Sequence, residues 1–165
     1  MKSTPVLMGI ATAAALSLAA CGGTAGTPSG GPAGSPSSAA LIHTASITVG
    51  TKTETVLKNA KGLTLYYFAA DTPTSVACTG GCVVNWPPLL SSSGTPTSSP
   101  TLPGRLTVLN GANGNQVLYN GHPLYNYFKD ADTSDANGQG IGGKWFAATP
   151  DLAAATAPTS TPYSY

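Results

Sequence analysis

Two short strings carry the side chains best suited to chemistry: Tyr66-Tyr67-Phe68-Ala69-Ala70-Asp71 and Tyr125-Asn126-Tyr127-Phe128-Lys129-Asp130. Each sets two aromatic rings on alternate residues, with a carboxylate three residues further on. Side chains alternate between faces along a strand, so Tyr66 and Phe68 share a face, as do Tyr125 and Tyr127. The carboxylates fall where each strand ends, and an Asp there can accept backbone N–H bonds in an Asx-type turn. Two uses follow. The rings can fill a core while Asp71 and Asp130 fix turns. Alternatively, the rings line a surface for a glycan or another ligand, with Asp71 and Asp130 as polar anchors. Trp86 and Trp145 extend the second use. The candidate ligand surface is then Tyr66, Phe68, Asp71, Trp86, Tyr125, Tyr127, Asp130 and Trp145, with several of these expected in the core.

These side chains belong to an internal repeat. Leu65, Tyr66, Phe68, Asp71 and Trp86 each have a counterpart 59 residues later, in Leu124, Tyr125, Tyr127, Asp130 and Trp145. Upstream, Val56-Leu57 matches Val117-Leu118 at an offset of 61, which gives the first copy two extra residues in its hairpin turn. The elements that must position the motif are strands and turns. Ile47-Thr48-Val49 and Val56-Leu57 are β-branched and apolar. Leu63–Phe68 alternates as one strand. Asn59-Ala60-Lys61-Gly62 supplies a hairpin turn before it. Leu106–Leu109 and Gln116–Tyr119 read as paired strands around an Asn/Gly-rich turn, and Asn120-Gly121 turns the chain into Pro123–Phe128. The expected fold is all-β: a small domain of two tandem β-hairpin repeats with long turn-rich loops. It spans residues 46–152, with repeat 1 at about 56–90 and repeat 2 at about 117–151.

The N-terminal segment has the parts of a secretory signal. Lys2 is its one charge, and Val6 to Ala20 is an apolar run of about 15 residues. That run is short of the ~20 needed to span a bilayer core. Leu18-Ala19-Ala20-Cys21 resembles the lipobox of bacterial lipoproteins. The resemblance implies cleavage of signal peptide 1–20 and a diacylglyceryl group on Cys21. Lipidation implies an extracytoplasmic protein, lipid-anchored to the bacterial cell membrane, with that membrane as a partner. Residues 21–45 hold this cysteine and a Gly/Ser/Pro/Thr-rich tether too polar to offset the entropy of ordering. Residues 153–165 read as a disordered tail. Lys and Arg number 7 against 6 Asp and Glu, and loss of Lys2 leaves the mature chain formally neutral. With no basic stripe, nucleic acid is not an expected partner.

Export bears on Cys78 and Cys82, because disulfides persist outside the cytoplasm. Three intervening residues, two of them Gly, let the loop close to bonding distance. Such a bond braces the loop that presents Trp86. A thioredoxin-like pair has two intervening residues at a helix start. Haem attachment of the usual kind needs a C-x-x-C-H string, which is absent. Zinc normally takes four ligands, and two thiols with His122 give three. His122 is therefore a weak metal candidate, and no cofactor is expected beyond the lipid. For a hydrolase, His122 is the one domain histidine available as a base, with Asp130 or Asp132 to orient it. No nucleophile elbow or Ser-x-x-Lys string is present. Asp71 and Asp130 could pair for glycoside cleavage, but matched repeat positions imply equal environments where an acid and a base need unequal ones. No catalytic residue is assigned.

The two motif strings match the Yx(F/W/Y)xxD signature. With Cys78-Thr79-Gly80-Gly81-Cys82, Asn85-Trp86-Pro87-Pro88-Leu89, Asn120-Gly121-His122-Pro123-Leu124-Tyr125 and Gly142-Gly143-Lys144-Trp145, the region from about Val56 to Asp151 resembles a family of bacterial predicted lipoproteins built from a secreted repeat of unknown function. The resemblance implies architecture rather than activity. The functional expectation is a membrane-anchored envelope lipoprotein, a non-catalytic binding or structural module for an envelope ligand or protein. An envelope redox or metal/haem-handling protein using Cys78, Cys82 and His122 is the competing class, and a hydrolase is third.

Overall fold

The computed structural model describes residues 40–92 and 94–156. The expected signal peptide, Cys21, the expected tether up to residue 39 and the expected tail beyond residue 156 lie outside the described residues. Strands β1 (Ile42–Val49) and β2 (Lys52–Asn59) form a hairpin in register from Ile42 opposite Asn59 to Val49 opposite Lys52. Gly50, at φ 64°, takes the left-handed turn position that glycine adopts without a Cβ clash. Then follow β3 (Tyr66–Phe68), a single-turn helix α1 (Cys82–Asn85) and the short β4 (Ser98–Ser99). The second half contains β5 (Leu106–Gly111), β6 (Gly114–Tyr119), β7 (His122–Tyr125), a 3-10 turn (Ile141–Gly143) and β8 (Trp145–Ala147). A three-stranded sheet has the order β2-β1-β4, and a five-stranded sheet has the order β5-β6-β7-β3-β8. The domain is all-β, as its turn-rich sequence requires.

Asn120 (φ 49°) and Gly121 (φ 83°) make the two-residue turn that sets Tyr119 opposite His122. Positive φ at both positions matches the right-handed twist of the flanking strands. The Leu63–Phe68 strand is shorter than its alternation suggests. The Asn59 side chain accepts from the N–H groups of Lys61 and Leu63, which holds the chain in a turn as far as Leu63. Regular pairing in the five-stranded sheet starts at Tyr66.

The domain is also longer than residues 46–152. Strand β1 begins at Ile42, so residues 42–45, including His43, belong to the hairpin and not to the tether. Ile42 is fully buried, and its apolar contacts draw the chain in before the β-branched alternation becomes visible. At the other end, Ala155 N–H donates to Asn120 O (2.8 Å) and the His122 ring bonds Ala153 O (3.1 Å). The first residues assigned to the tail therefore strap the β6–β7 turn.

The two repeats are exchanged. Strands β3 and β7 run antiparallel with Tyr66 opposite Tyr125, so a local two-fold axis passes between these equivalent residues. Strand β8 of repeat 2 completes the sheet beside β3 of repeat 1: Ala69 N–H bonds Lys144 O and Ala148 N–H bonds Leu65 O, both at 2.8 Å. Residues 85–89 of repeat 1 do the same beside β7: Phe128 N–H bonds Asn85 O (3.0 Å) and Leu89 N–H bonds Leu124 O (2.9 Å). Outside these, Leu57 N–H bonds Ala148 O and Val117 N–H bonds Leu89 O, each at 2.8 Å. These bonds make Leu57 the counterpart of Val117. The first hairpin turn is thus longer by one residue, not by two. Neither repeat completes its own sheet, since each lends its tryptophan segment to the other.

Cys78 and Cys82 form a disulfide with a Cα–Cα distance of 5.3 Å. It closes the turn entering α1, whose Cys82 O accepts the Trp86 N–H at 3.0 Å. A denatured, unreduced sample should titrate no thiol from this pair. Replacing both cysteines with serine should cost about 2 kcal/mol by the loop-entropy relation, read from chemical denaturation.

Candidate functional site

The motif side chains converge on the local two-fold axis. Each tyrosine hydroxyl donates to the aspartate of the other repeat. Tyr66 Oη bonds Asp130 Oδ2 at 2.6 Å, and Tyr125 Oη bonds Asp71 Oδ2 at 2.5 Å. The second oxygen of each carboxylate pins the loop ahead of a tryptophan segment. Ala77 N–H donates to Asp71 Oδ1 (2.7 Å), and Asn137 N–H donates to Asp130 Oδ1 (3.0 Å). Both oxygens of each aspartate accept, the pattern of an ionised carboxylate. Gly138 N–H donates to Tyr66 Oη (3.2 Å), which leaves the Tyr66 proton directed at Asp130. A Cβ on Gly138 would stand 2.8 Å from the Tyr66 ring, so only glycine lets this loop close on the tyrosine.

Between the two pairs, Trp86 and Trp145 lie face to face, with centroids 3.7 Å apart and planes 1° from parallel. Tyr127 covers Trp86 at 4.4 Å and Phe68 covers Trp145 at 4.4 Å. Tyr66 meets Trp86 edge-on at 5.6 Å, and Tyr125 meets Trp145 edge-on at 5.2 Å. The outer rings are again exchanged, since each tryptophan is capped by the other repeat's motif.

This arrangement corrects the expected ligand surface. Trp86 and Trp145 are each 6% exposed, Tyr66 and Tyr125 are fully buried, and Asp71 and Asp130 are buried. These six are core. Both faces of each tryptophan meet another ring, and each carboxylate is engaged by a hydroxyl and a loop N–H. Phe68 and Tyr127, half-buried, are the members of the set that reach towards solvent. Burial and the carboxylate partner push both tyrosine hydroxyls well above their ordinary range. Burial also pushes the Asp71 carboxyl up, against the pull of the Tyr125 hydroxyl and the N–H groups of Ala77 and Cys78.

His122 packs against the Tyr67 ring at 4.8 Å, and its Nε2 is held by Ala153 O. Among the described residues no cluster of three or more His, Cys, Asp or Glu is placed to hold a metal. Burial pushes the His122 imidazole below its usual 6.5. The unfolded chain therefore takes up this proton first as the pH falls below 6.5, and stability should drop in that window until the folded-state value is passed. Thermal melts between pH 7 and pH 5 should show a falling Tm, and His122→Gln should flatten that slope.

Two features escaped the sequence. Lys58 is 2% exposed, and its Nζ donates to Thr64 Oγ1 (2.8 Å) and Thr133 O (2.9 Å). Burial pushes its amine below the ordinary lysine value. The second is a groove of about 450 Å³, lined in part by Leu41, Asn59, Leu63, Pro87, Tyr127 and Phe128. Phe128 is 53% exposed there, with Lys129 Nζ 5.4 Å from its ring centroid. Asn59 Nδ2 donates to Asn126 Oδ1 at 2.7 Å beside it. The available signal was the difference between the copies: Phe128-Lys129 stands where repeat 1 has Ala69-Ala70.

Residues 47–90 and 107–149 each match a family described as a secreted repeat of unknown function. The chain belongs to this family. The two secreted repeats correspond to the two exchanged halves, from within each hairpin's first strand to the far side of each tryptophan segment. No curated protein and no solved structure matches the chain.

Proposed function

We propose that this secreted-repeat protein is a lipid-anchored, non-catalytic binding module of the cell envelope, held to the membrane by a diacylglyceryl group on Cys21. One observation carries the reading: the motif's tyrosines, aspartates and tryptophans are engaged with each other, while an aromatic groove beside them stays open. Groups with both oxygens and both ring faces engaged are poorly placed to turn over a substrate. The groove instead offers an exposed ring face at Phe128, amides at Asn59 and Asn126, and a charge at Lys61. A sugar chain offers apolar faces and hydroxyls to the same set, so the ligand class is an envelope glycan. The disulfide engages both thiols and so weighs against a redox or metal role for Cys78 and Cys82.

Cys21→Ser should move the protein from the membrane fraction to the soluble fraction, and unchanged membrane retention would refute the anchor. For the groove, the soluble domain should co-sediment with purified insoluble peptidoglycan. Phe128→Ala should weaken that binding about tenfold, the worth of one ring contact of about 1.4 kcal/mol. Absence of co-sedimentation, or indifference to Phe128→Ala, would overturn the glycan assignment. Phe128 is exposed, so its loss should leave the melting temperature nearly unchanged.

A further inference from the structure

The ring stack has a property that packing does not require. Aromatic pairs favour offset or edge-on contacts over a face-to-face sandwich, because parallel ring faces carry like charge. Trp86 and Trp145 nevertheless overlap face to face at 3.7 Å, and Tyr127 and Phe68 continue the column on either side at 4.4 Å. What such a column gains is orbital overlap, fullest between the parallel tryptophans and reduced at Tyr127, whose plane tilts 30° from that of Trp86. Beside it stand two phenols, each edge-on to one tryptophan and each donating its proton to a carboxylate. A phenol loses an electron readily only when its proton has an acceptor in place, and both phenols have one.

The geometry points to a one-electron relay: Tyr127 takes up an oxidising equivalent at the surface, Trp86 and Trp145 share it, and Tyr66 or Tyr125 traps it. The oxidant is a soluble one-electron acceptor, such as an oxyl radical or a high-valent metal complex. It removes one electron from the column and is itself reduced by one. At the trap the phenolic O–H bond breaks. The proton bonds to Oδ2 of Asp130 or Asp71, and the electron fills the hole in the tryptophan pair. The products are a neutral tyrosyl radical, a protonated carboxyl and the reduced oxidant. A soluble one-electron reductant reverses the step, returning an electron to the tyrosyl oxygen as the carboxyl gives back its proton. The high phenol values fit this use, since neither tyrosine surrenders its proton to bulk base in the resting state.

The two ends of the column differ. Tyr127 can be oxidised under these conditions, whereas its counterpart Phe68 resists oxidation, and both are half-buried. The relay therefore has one mouth, on the same side as the groove that Tyr127 lines. This asymmetry supplies a test that does not depend on removing core groups.

The experiment is flash photolysis of the mature chain with tris(bipyridine)ruthenium and a sacrificial electron acceptor, followed by transient absorption and electron paramagnetic resonance. The relay predicts a tyrosyl radical that forms more slowly in D2O, because a proton moves with the electron. Tyr127→Phe should slow its formation. Phe68→Tyr, which adds a second mouth, should roughly double the rate. Tyr66→Phe with Tyr125→Phe should shift the radical to tryptophan. Formation indifferent to both Tyr127→Phe and Phe68→Tyr would overturn the relay, as would a radical confined to other tyrosines. Circular dichroism of each variant separates these outcomes from misfolding, and Phe68→Tyr keeps the ring and so remains informative if the double tyrosine variant fails to fold.

Discussion

Trp86→Ala should lower the unfolding free energy by about 3–5 kcal/mol, the usual cost of deleting a large buried ring. The size follows from position. Trp86 is 6% exposed and is touched by Trp145, Tyr127 and Tyr66, which together bring side chains from both repeats. Removing it opens a cavity on the two-fold axis and takes away one of the contacts that join the halves. Collapse cannot fill the gap, because Tyr66 is held by Asp130 and Trp145 sits in a regular strand. Trp145→Ala should cost a similar amount, since Trp145 is the two-fold mate with matching neighbours. Urea denaturation measures both. Each variant keeps the other of the chain's 2 tryptophans as a fluorescent reporter. A loss within about 0.5 kcal/mol, the range of surface substitutions, would contradict a structural role for the stack.

The sequence carried a large part of this arrangement. The offset of 59 identified which residues are equivalent, and alternation put Tyr66 with Phe68 and Tyr125 with Tyr127 on common faces. The Asn120-Gly121 turn and the Leu106–Tyr119 hairpin were readable because local turn chemistry fixes them. A repeat period does not say whether equivalent segments pair within a copy or between copies. The Tyr66–Asp130 and Tyr125–Asp71 exchange was therefore invisible: those contacts span 64 and 54 residues, and no local propensity encodes them. The same reasoning explains Ile42 and Ala155. Both are fixed by distant partners, Asn59 and Asn120, and both sit in stretches whose composition reads as tether or tail. The groove was missed for a different reason. It is assembled from unlike parts of both repeats, where symmetry fails and the period gives no guide.

The exchange also fixes how the motif's energetics must be coupled. Asp130→Ala leaves the buried Tyr66 hydroxyl and the Asn137 N–H without their acceptor, and Asp71→Ala does the same to Tyr125 and Ala77. Each should cost about 2–4 kcal/mol, because both lost bonds run to a charged group and strand their donors. Double-mutant cycles then distinguish exchange from pairing within a copy. Tyr66→Phe with Asp130→Ala should show a coupling of about 1.5–3 kcal/mol, as should Tyr125→Phe with Asp71→Ala. Tyr66→Phe with Asp71→Ala joins two residues of one repeat that share no hydrogen bond, and should be additive within about 0.5 kcal/mol. A coupling that followed sequence proximity instead would mean that each repeat closes on itself. In that case the tryptophan segments would return to their own motifs, and a single secreted repeat could complete its sheet alone. With the exchange in place it cannot, because repeat 1 lacks β8 beside β3 and repeat 2 lacks residues 85–89 beside β7. On this reading the smallest folding unit of the family architecture is a pair of repeats.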